Sequence, residues 1–143
     1  MSQTTHDTSI EADRLIDEHF RHELSGDIAA VVATFSADVE HDVVGRPAVS
    51  HGRAEAAAFY EELFSDLDVE GFETVRRYHG EGFVVDESIL HGRAKGSPFG
   101  IPGHNRPLQF RLLHVFEIRD GYITRENAWI DVAAIMSQLS AAV

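Results

Sequence analysis

LQFRLLHVFEIRDGYITRENAWID, residues 108–131, decides the fold. Leu108, Phe110, Leu112, His114, Phe116 and Ile118 alternate with Gln109, Arg111, Glu117 and Arg119, as in a strand with one buried face. Leu113 and Val115 break the alternation and give the other face a mixed character. Asp120-Gly121 is a two-residue hairpin signal. It returns the chain into a second strand over 122–130, and Asp131 can then cap a C-terminal helix carrying Ile135, Met136 and Leu139.

Working upstream, KGSPFGIPGHNRP (95–107) is a Gly/Pro loop feeding the long strand. Two earlier strands, 72–79 and 83–91, flank the Gly80-Glu81-Gly82 turn. The N-terminal half reads as helices. Leu15, Ile16, His19 and Phe20 share one helix face, and Gly26 with Asp27 ends that helix and caps the next. A short helix places Ile28, Val31, Val32 and Phe35 on one side. A third, from about 53 to 67, buries Ala56, Phe59, Tyr60, Leu63, Phe64 and Leu67. DVEHDVVG (38–45) is rich enough in valine to be a short strand. Helices followed by an antiparallel meander make an α+β domain whose curved antiparallel sheet wraps around the N-terminal helices, with a cavity at its open end. One domain accounts for residues 1–143, with 1–8 expected as a disordered leader.

Bulk composition narrows the function. Twenty-four acids against twelve bases give a net charge of −12, a surface that repels nucleic acid and anionic membranes. The absence of cysteine excludes disulfides and thiolate metal sites. No stretch is long and apolar enough for a signal peptide or a membrane span, so a cytoplasmic location is the expectation. His19, His22 and Glu23 have helical ligand spacing, but no HExxH or His-x-His pattern accompanies the nine histidines, and neither metal nor cofactor is expected.

Candidate chemistry starts from two histidines at core positions. His19 lies on an apolar helix stripe and His114 on the apolar parity of the long strand. A buried imidazole needs a hydrogen-bond partner or a pocket. Asp42 sits in a strand whose facing pattern is ambiguous, beside Glu40 and His41. A carboxylate on a cavity wall can take a proton from carbon next to a carbonyl while imidazole N–H groups hold the enolate oxygen. Trp129, Phe110, Phe116 and Tyr60 are read as lining the core or the substrate pocket.

Three stretches in order, SGDIAAVVATFSADVEHDVVG, HGRAEAAAFYEELFSDL and FGIPGHNRPLQFRLLHVFEIRDGYITRENAWID, resemble the nuclear transport factor 2-like superfamily. That superfamily includes the ketosteroid isomerases and the SnoaL-like polyketide cyclases. The resemblance implies a cone-shaped, cystatin-like α+β roll. DVVG at 42–45 is similar to the segment carrying the general base of ketosteroid isomerases, with a one-residue gap before Asp42. His19 and His114 fall where those enzymes place their two oxyanion donors, though the residue types differ. Asp131, after Trp129, resembles an acid common in the SnoaL-like group, where it would touch substrate; its place before the last helix favours a cap instead. Ala128 occupies a point where epoxide hydrolases of this fold carry an acid, which counts against that activity.

The resemblance thus implies a cofactor-independent enzyme acting on a small hydrophobic carbonyl compound by isomerisation or aldol-type cyclisation. Asp42 would be the base, with His19 and His114 as donors. A non-catalytic pocket protein, or a dehydratase or hydrolase of the same fold, is the alternative. Pairing through the sheet face into a homodimer is expected, with Arg111, Leu113, Val115 and Glu117 on that face.

Overall fold

The computed structural model describes residues 2–140, with side chains from residue 8 onward. Its elements are α1 (Ser2–Ser25), α2 (Ile28–Ala33), β1 (Phe35–Val43), β2 (Ser50–His51), α3 (Gly52–Asp66), β3 (Asp68–Gly80), β4 (Phe83–Ala94), β5 (Arg106–Arg119), β6 (Tyr122–Ile130) and α4 (Val132–Ser140). A 3₁₀ turn, Pro98–Gly100, interrupts the loop between β4 and β5. The backbone of α1 begins at Ser2, so residues 2–8, expected as a disordered leader, are its first turns. Neither Gly nor Pro occurs before Gly26 to break it.

The local signals act as their chemistry requires. Gly26, at φ 70, ends α1 in the left-handed conformation, and the Asp27 carboxylate accepts the Ala30 N–H at 3.1 Å to cap α2. The six strands form one sheet in the order β2-β1-β6-β5-β4-β3. The meander β3-β4-β5-β6 is antiparallel, whereas β1 runs parallel to β6. The pure antiparallel expectation fails at that pairing because α3 and the whole meander intervene before the chain returns beside β1.

Helices α1, α2 and α3 lie against the concave face. Ile16, Val31, Phe35, Tyr60, Phe116 and Ile123 form a core there, each nearly or fully buried. A second core gathers Leu67, Leu90, Leu108, Phe110 and Leu112 with Ile135 and Leu139 of α4 at the other end of the cone. Each such side chain contributes about 1.5–3 kcal/mol by leaving water. The Gln138 side chain accepts the Gln109 N–H and donates to its carbonyl, at 3.0 and 2.7 Å, so α4 covers the edge of β5 that β6 leaves free. Among the described residues, no helix is long and apolar enough to cross a membrane.

One irregularity positions the site. Glu117 pairs with Arg125 but Ile118 pairs with Ile123, so Thr124 is an extra residue, a bulge in β6. Beyond it the parity flips. Glu126 and Ala128 face the core, while Trp129 is 43% exposed on the outer face. Trp129 therefore does not line the pocket as expected, because alternation read from Ile123 onward misses the bulge.

Candidate active site

Where the two cores meet lies a cavity of about 40 Å³. Its apolar wall includes Phe59, Leu67, Phe72, Phe99 and Phe110, and its polar wall comprises Glu23, His41, Tyr60, His114 and Glu126. Of the aromatic residues expected at the pocket, Phe110 and Tyr60 line it. Phe116 does not, being fully buried against His19, Phe20 and His114.

The polar groups form two carboxylate–imidazole pairs. In the first, the Glu126 carboxylate of β6 receives His41 Nε2 of β1 at 2.6 Å, His19 Nε2 of α1 at 3.3 Å and the Tyr60 hydroxyl of α3 at 3.3 Å. His19 Nε2 also lies 3.3 Å from Glu23. His19 Nδ1 lies 2.9 Å from Thr34 Oγ1, whose own proton goes to the Val31 carbonyl at 2.6 Å. Thr34 can thus only accept there. Both His19 nitrogens act as donors, which makes the ring an imidazolium. Burial opposes that charge, but Glu126 and Glu23 outweigh it and push the His19 pKa up to about 10. Burial likewise opposes the Glu126 charge, yet His41 and His19 hold this carboxyl well below its usual range. Tyr60 is raised by burial and by the two glutamates. His41 Nδ1 is the buried side-chain polar atom without a partner among the described residues.

In the second pair, His114 Nδ1–H of β5 donates to Asp86 Oδ1 of β4 at 3.2 Å, leaving Nε2 as the nitrogen available to the cavity. Ser88 Oγ–H donates to the same oxygen at 2.6 Å, and Arg77 Nε–H to the other at 2.8 Å. Burial opposes the Asp86 charge, but these three donors lower its pKa. Arg77 continues outward to Asp17 at 2.7 Å and Asp13 at 3.3 Å on α1.

His114 therefore lies on the cavity as the strand pattern implies. Three other expectations are corrected. Asp42 is half-exposed on the outward parity of β1, where Val39, His41 and Val43 face the core. The one-residue gap in the resemblance marks this slip, since a one-residue shift exchanges the faces of a strand. His19 is fully buried, does not line the cavity and has both ring nitrogens engaged, so it serves as the buried counter-ion of Glu126 rather than as an oxyanion donor. Asp131 is exposed and caps α4, accepting the Ala134 N–H at 3.1 Å.

Sequence reasoning missed His41, Glu126, Glu23 and Asp86. Glu23 is the next position on the α1 stripe after His19. Counting back by twos from Ile130 reaches Ala128 and then Glu126. Asp86 sits among Val84, Val85, Ile89 and Leu90, where both parities carry apolar residues and neither face stands out. Among the described residues, no group of three or more His, Asp or Glu side chains is arranged to hold a metal ion.

The sequence over residues 11–139 matches the SnoaL-like polyketide cyclase family. Several solved structures share the fold. A candidate SnoaL-like polyketide cyclase from Jannaschia sp. CCS1 superposes with a TM-score of 0.81 at 17% identity over 94% of each chain. A protein of ketosteroid isomerase-like fold from Catenulispora acidiphila, solved with trimethylamine, has a TM-score of 0.76 at 16% identity and covers 90% of this chain and 93% of its own. An LEH-like epoxide hydrolase from M. tuberculosis has a TM-score of 0.73 at 20% identity, over 92% of this chain and 90% of its own. At such identities the likeness establishes the fold. No curated protein matches the sequence.

Proposed function

Because the chain belongs to the SnoaL-like polyketide cyclase family, we propose that it is a cofactor-independent enzyme moving a proton next to a carbonyl in a small hydrophobic substrate, with His41 rather than Asp42 as the base. The observation carrying this reading is the unpartnered Nδ1 of His41, on a residue that lines the cavity. A buried polar atom without a partner calls for a ligand or a water. In the neutral ring, the proton sits on Nε2 toward Glu126, and the Nδ1 lone pair is free to accept another.

Nδ1 takes the proton from the carbon beside the carbonyl, and the positive charge formed on His41 is balanced by Glu126. The electron pair of the broken C–H bond forms the C=C bond of the enolate, and the carbonyl π pair moves to the oxygen. His114, in its protonated form on Asp86, donates from Nε2 to that enolate oxygen. Isomerisation ends when His41 returns its proton to a different carbon. Cyclisation ends when the enolate carbon attacks a second carbonyl of the substrate and the resulting alkoxide takes back the proton held by His41. His19 transfers nothing; its fixed charge keeps Glu126 ionised and His41 oriented.

The enzyme acts in the cytoplasm as a homodimer. Leu113, 39% exposed, lies opposite Trp129 in register and supports pairing through the outer sheet face.

The test uses a probe rather than the physiological substrate. Deuterium uptake from heavy water at the carbon beside the carbonyl of cyclohexanone, followed by NMR, should exceed the buffer rate with the wild-type protein. His41→Phe should reduce the enzymatic rate by about 10²-fold or more, while Asp42→Asn leaves it unchanged. Equal rates for wild type and His41→Phe would remove His41 from the mechanism.

A further inference from the structure

The cavity beside His41 and His114 holds about 40 Å³. That is room for a water or two, and roughly a tenth of the usual size of a pocket for an organic ligand. For a carbonyl compound to reach the two imidazoles, part of the wall must move. Most of that wall is paired strand or the buried face of α3, held by the ladders of the sheet and by the core. Phe99 differs. It is half-buried, lines the cavity and sits in the 3₁₀ turn Pro98–Gly100. Its backbone lies at φ 55 and ψ 28, in the left-handed region that is strained for a residue with a Cβ.

The feet of this turn are fixed. Gly96 N–H donates to the Asp66 carbonyl and Ser97 N–H to the Asp66 carboxylate, both at 2.9 Å. Gly103 N–H donates to the Gly96 carbonyl at 2.9 Å, and a Cβ on Gly103 would meet the Ala94 carbonyl oxygen at 2.2 Å. Phe99 therefore sits at a tip between anchored ends, while the other left-handed residues of this loop, His104 and Asn105, lie at its foot beside Gly103. The Phe99 ring is held there by an edge-on contact with Phe110, centroids 6.0 Å apart. Strain maintained at a cavity wall is energy that a rearrangement of the tip can release.

We propose that Phe99 is the gate of this cavity, swinging aside to admit a cyclic carbonyl compound and setting by its ring the size of molecule that reaches His41 and His114. The inference rests on the carbonyl-site reading above. The experiment titrates cyclohexanone and the bicyclic ketone decalone into wild type, Phe99→Gly and Phe99→Leu, following the imidazole resonances of His41 and His114. Glycine accepts the left-handed backbone without strain, and leucine keeps an apolar side chain, so the pair separates loss of the ring from loss of the fold.

Cyclohexanone should move both resonances in all three proteins. Decalone should bind Phe99→Gly about tenfold more tightly than wild type, with Phe99→Leu in between. Should the preference between the two ketones be the same in all three proteins, the gate is refuted and the carbonyl site stands. If neither ketone moves either resonance in any of them, the carbonyl site fails and the gate with it.

Discussion

The two carboxylate–imidazole pairs share one cavity but are supported differently. Glu126 and His41 belong to a sealed cluster whose other members, His19, Glu23 and Tyr60, are all buried. Asp86 and His114 connect through Arg77 to Asp13 and Asp17, the latter at the protein surface. Beyond the little water that the shared cavity can hold, a sealed cluster has nothing to put in place of a lost partner. A pair braced by a surface-linked arginine can redistribute charge outward when one contact goes. The same chemical unit is therefore brittle on one wall and tolerant on the other.

The sharpest break in that contrast is Glu126→Gln. It leaves His19 with a single carboxylate partner and puts a neutral amide where the anionic acceptor of His41 stood, so we expect a loss of about 3–5 kcal/mol in denaturant unfolding, along with loss of the cyclohexanone exchange. A change below 1 kcal/mol would mean that the cluster is wetter than its burial indicates.

The second effect concerns pH. His19 titrates near 6.5 when unfolded and at about 10 when folded, so its contribution is complete below pH 6.5 and disappears as pH rises through about 10. Unfolding free energy should fall across that window with a slope approaching about 1.4 kcal/mol per pH unit from this group. Glu126 and Asp86 act on the opposite limb. Their contributions hold above the unfolded values of 4.5 and 3.8 and vanish as pH falls through their lower folded values. A stability curve flat above pH 6.5 would contradict the assignment of His19 as a buried cation.

Asp86→Asn should have the smallest effect, about 1–2 kcal/mol. Arg77 keeps Asp13 and Asp17, and the amide oxygen can still accept from Ser88. Its signature is kinetic: exchange should slow while the stability loss stays well below that of Glu126→Gln. Equal losses for the two variants would erase the distinction between sealed and braced pairs.

How much of this the sequence reveals depends on where the periodicity is clean. In the long strand β5 every second residue from Leu108 to Phe116 is apolar except His114, and Leu113 and Val115 on the other face do not disturb that parity, which places His114 correctly. The α1 stripe puts His19 in the core but says nothing of Glu126, because partners from distant elements leave no local trace. The stretch 38–45 has valines on both parities, Val39 and Val43 against Val44 just past β1, so a one-residue slip selects Asp42 over His41. The bulge at Thr124 reverses β6 and thereby hides Glu126 while advertising Trp129. Asp131 shows the opposite lesson, since its position before a helix already implied the cap it makes. The fold was legible from alternation and turns. The site was not, because it depends on parity at the two irregular strands that meet beneath α3.

The most direct test of the account is the protonation pattern of His19 and His41, read by nitrogen-15 NMR of the wild-type imidazoles between pH 6.5 and about 10. We predict that His19 carries protons on both nitrogens through most of that range, and that the neutral His41 ring carries its proton on Nε2 with Nδ1 bare. A neutral His19 near pH 7, or a neutral His41 protonated on Nδ1 instead, would contradict the arrangement from which the proposed base is drawn.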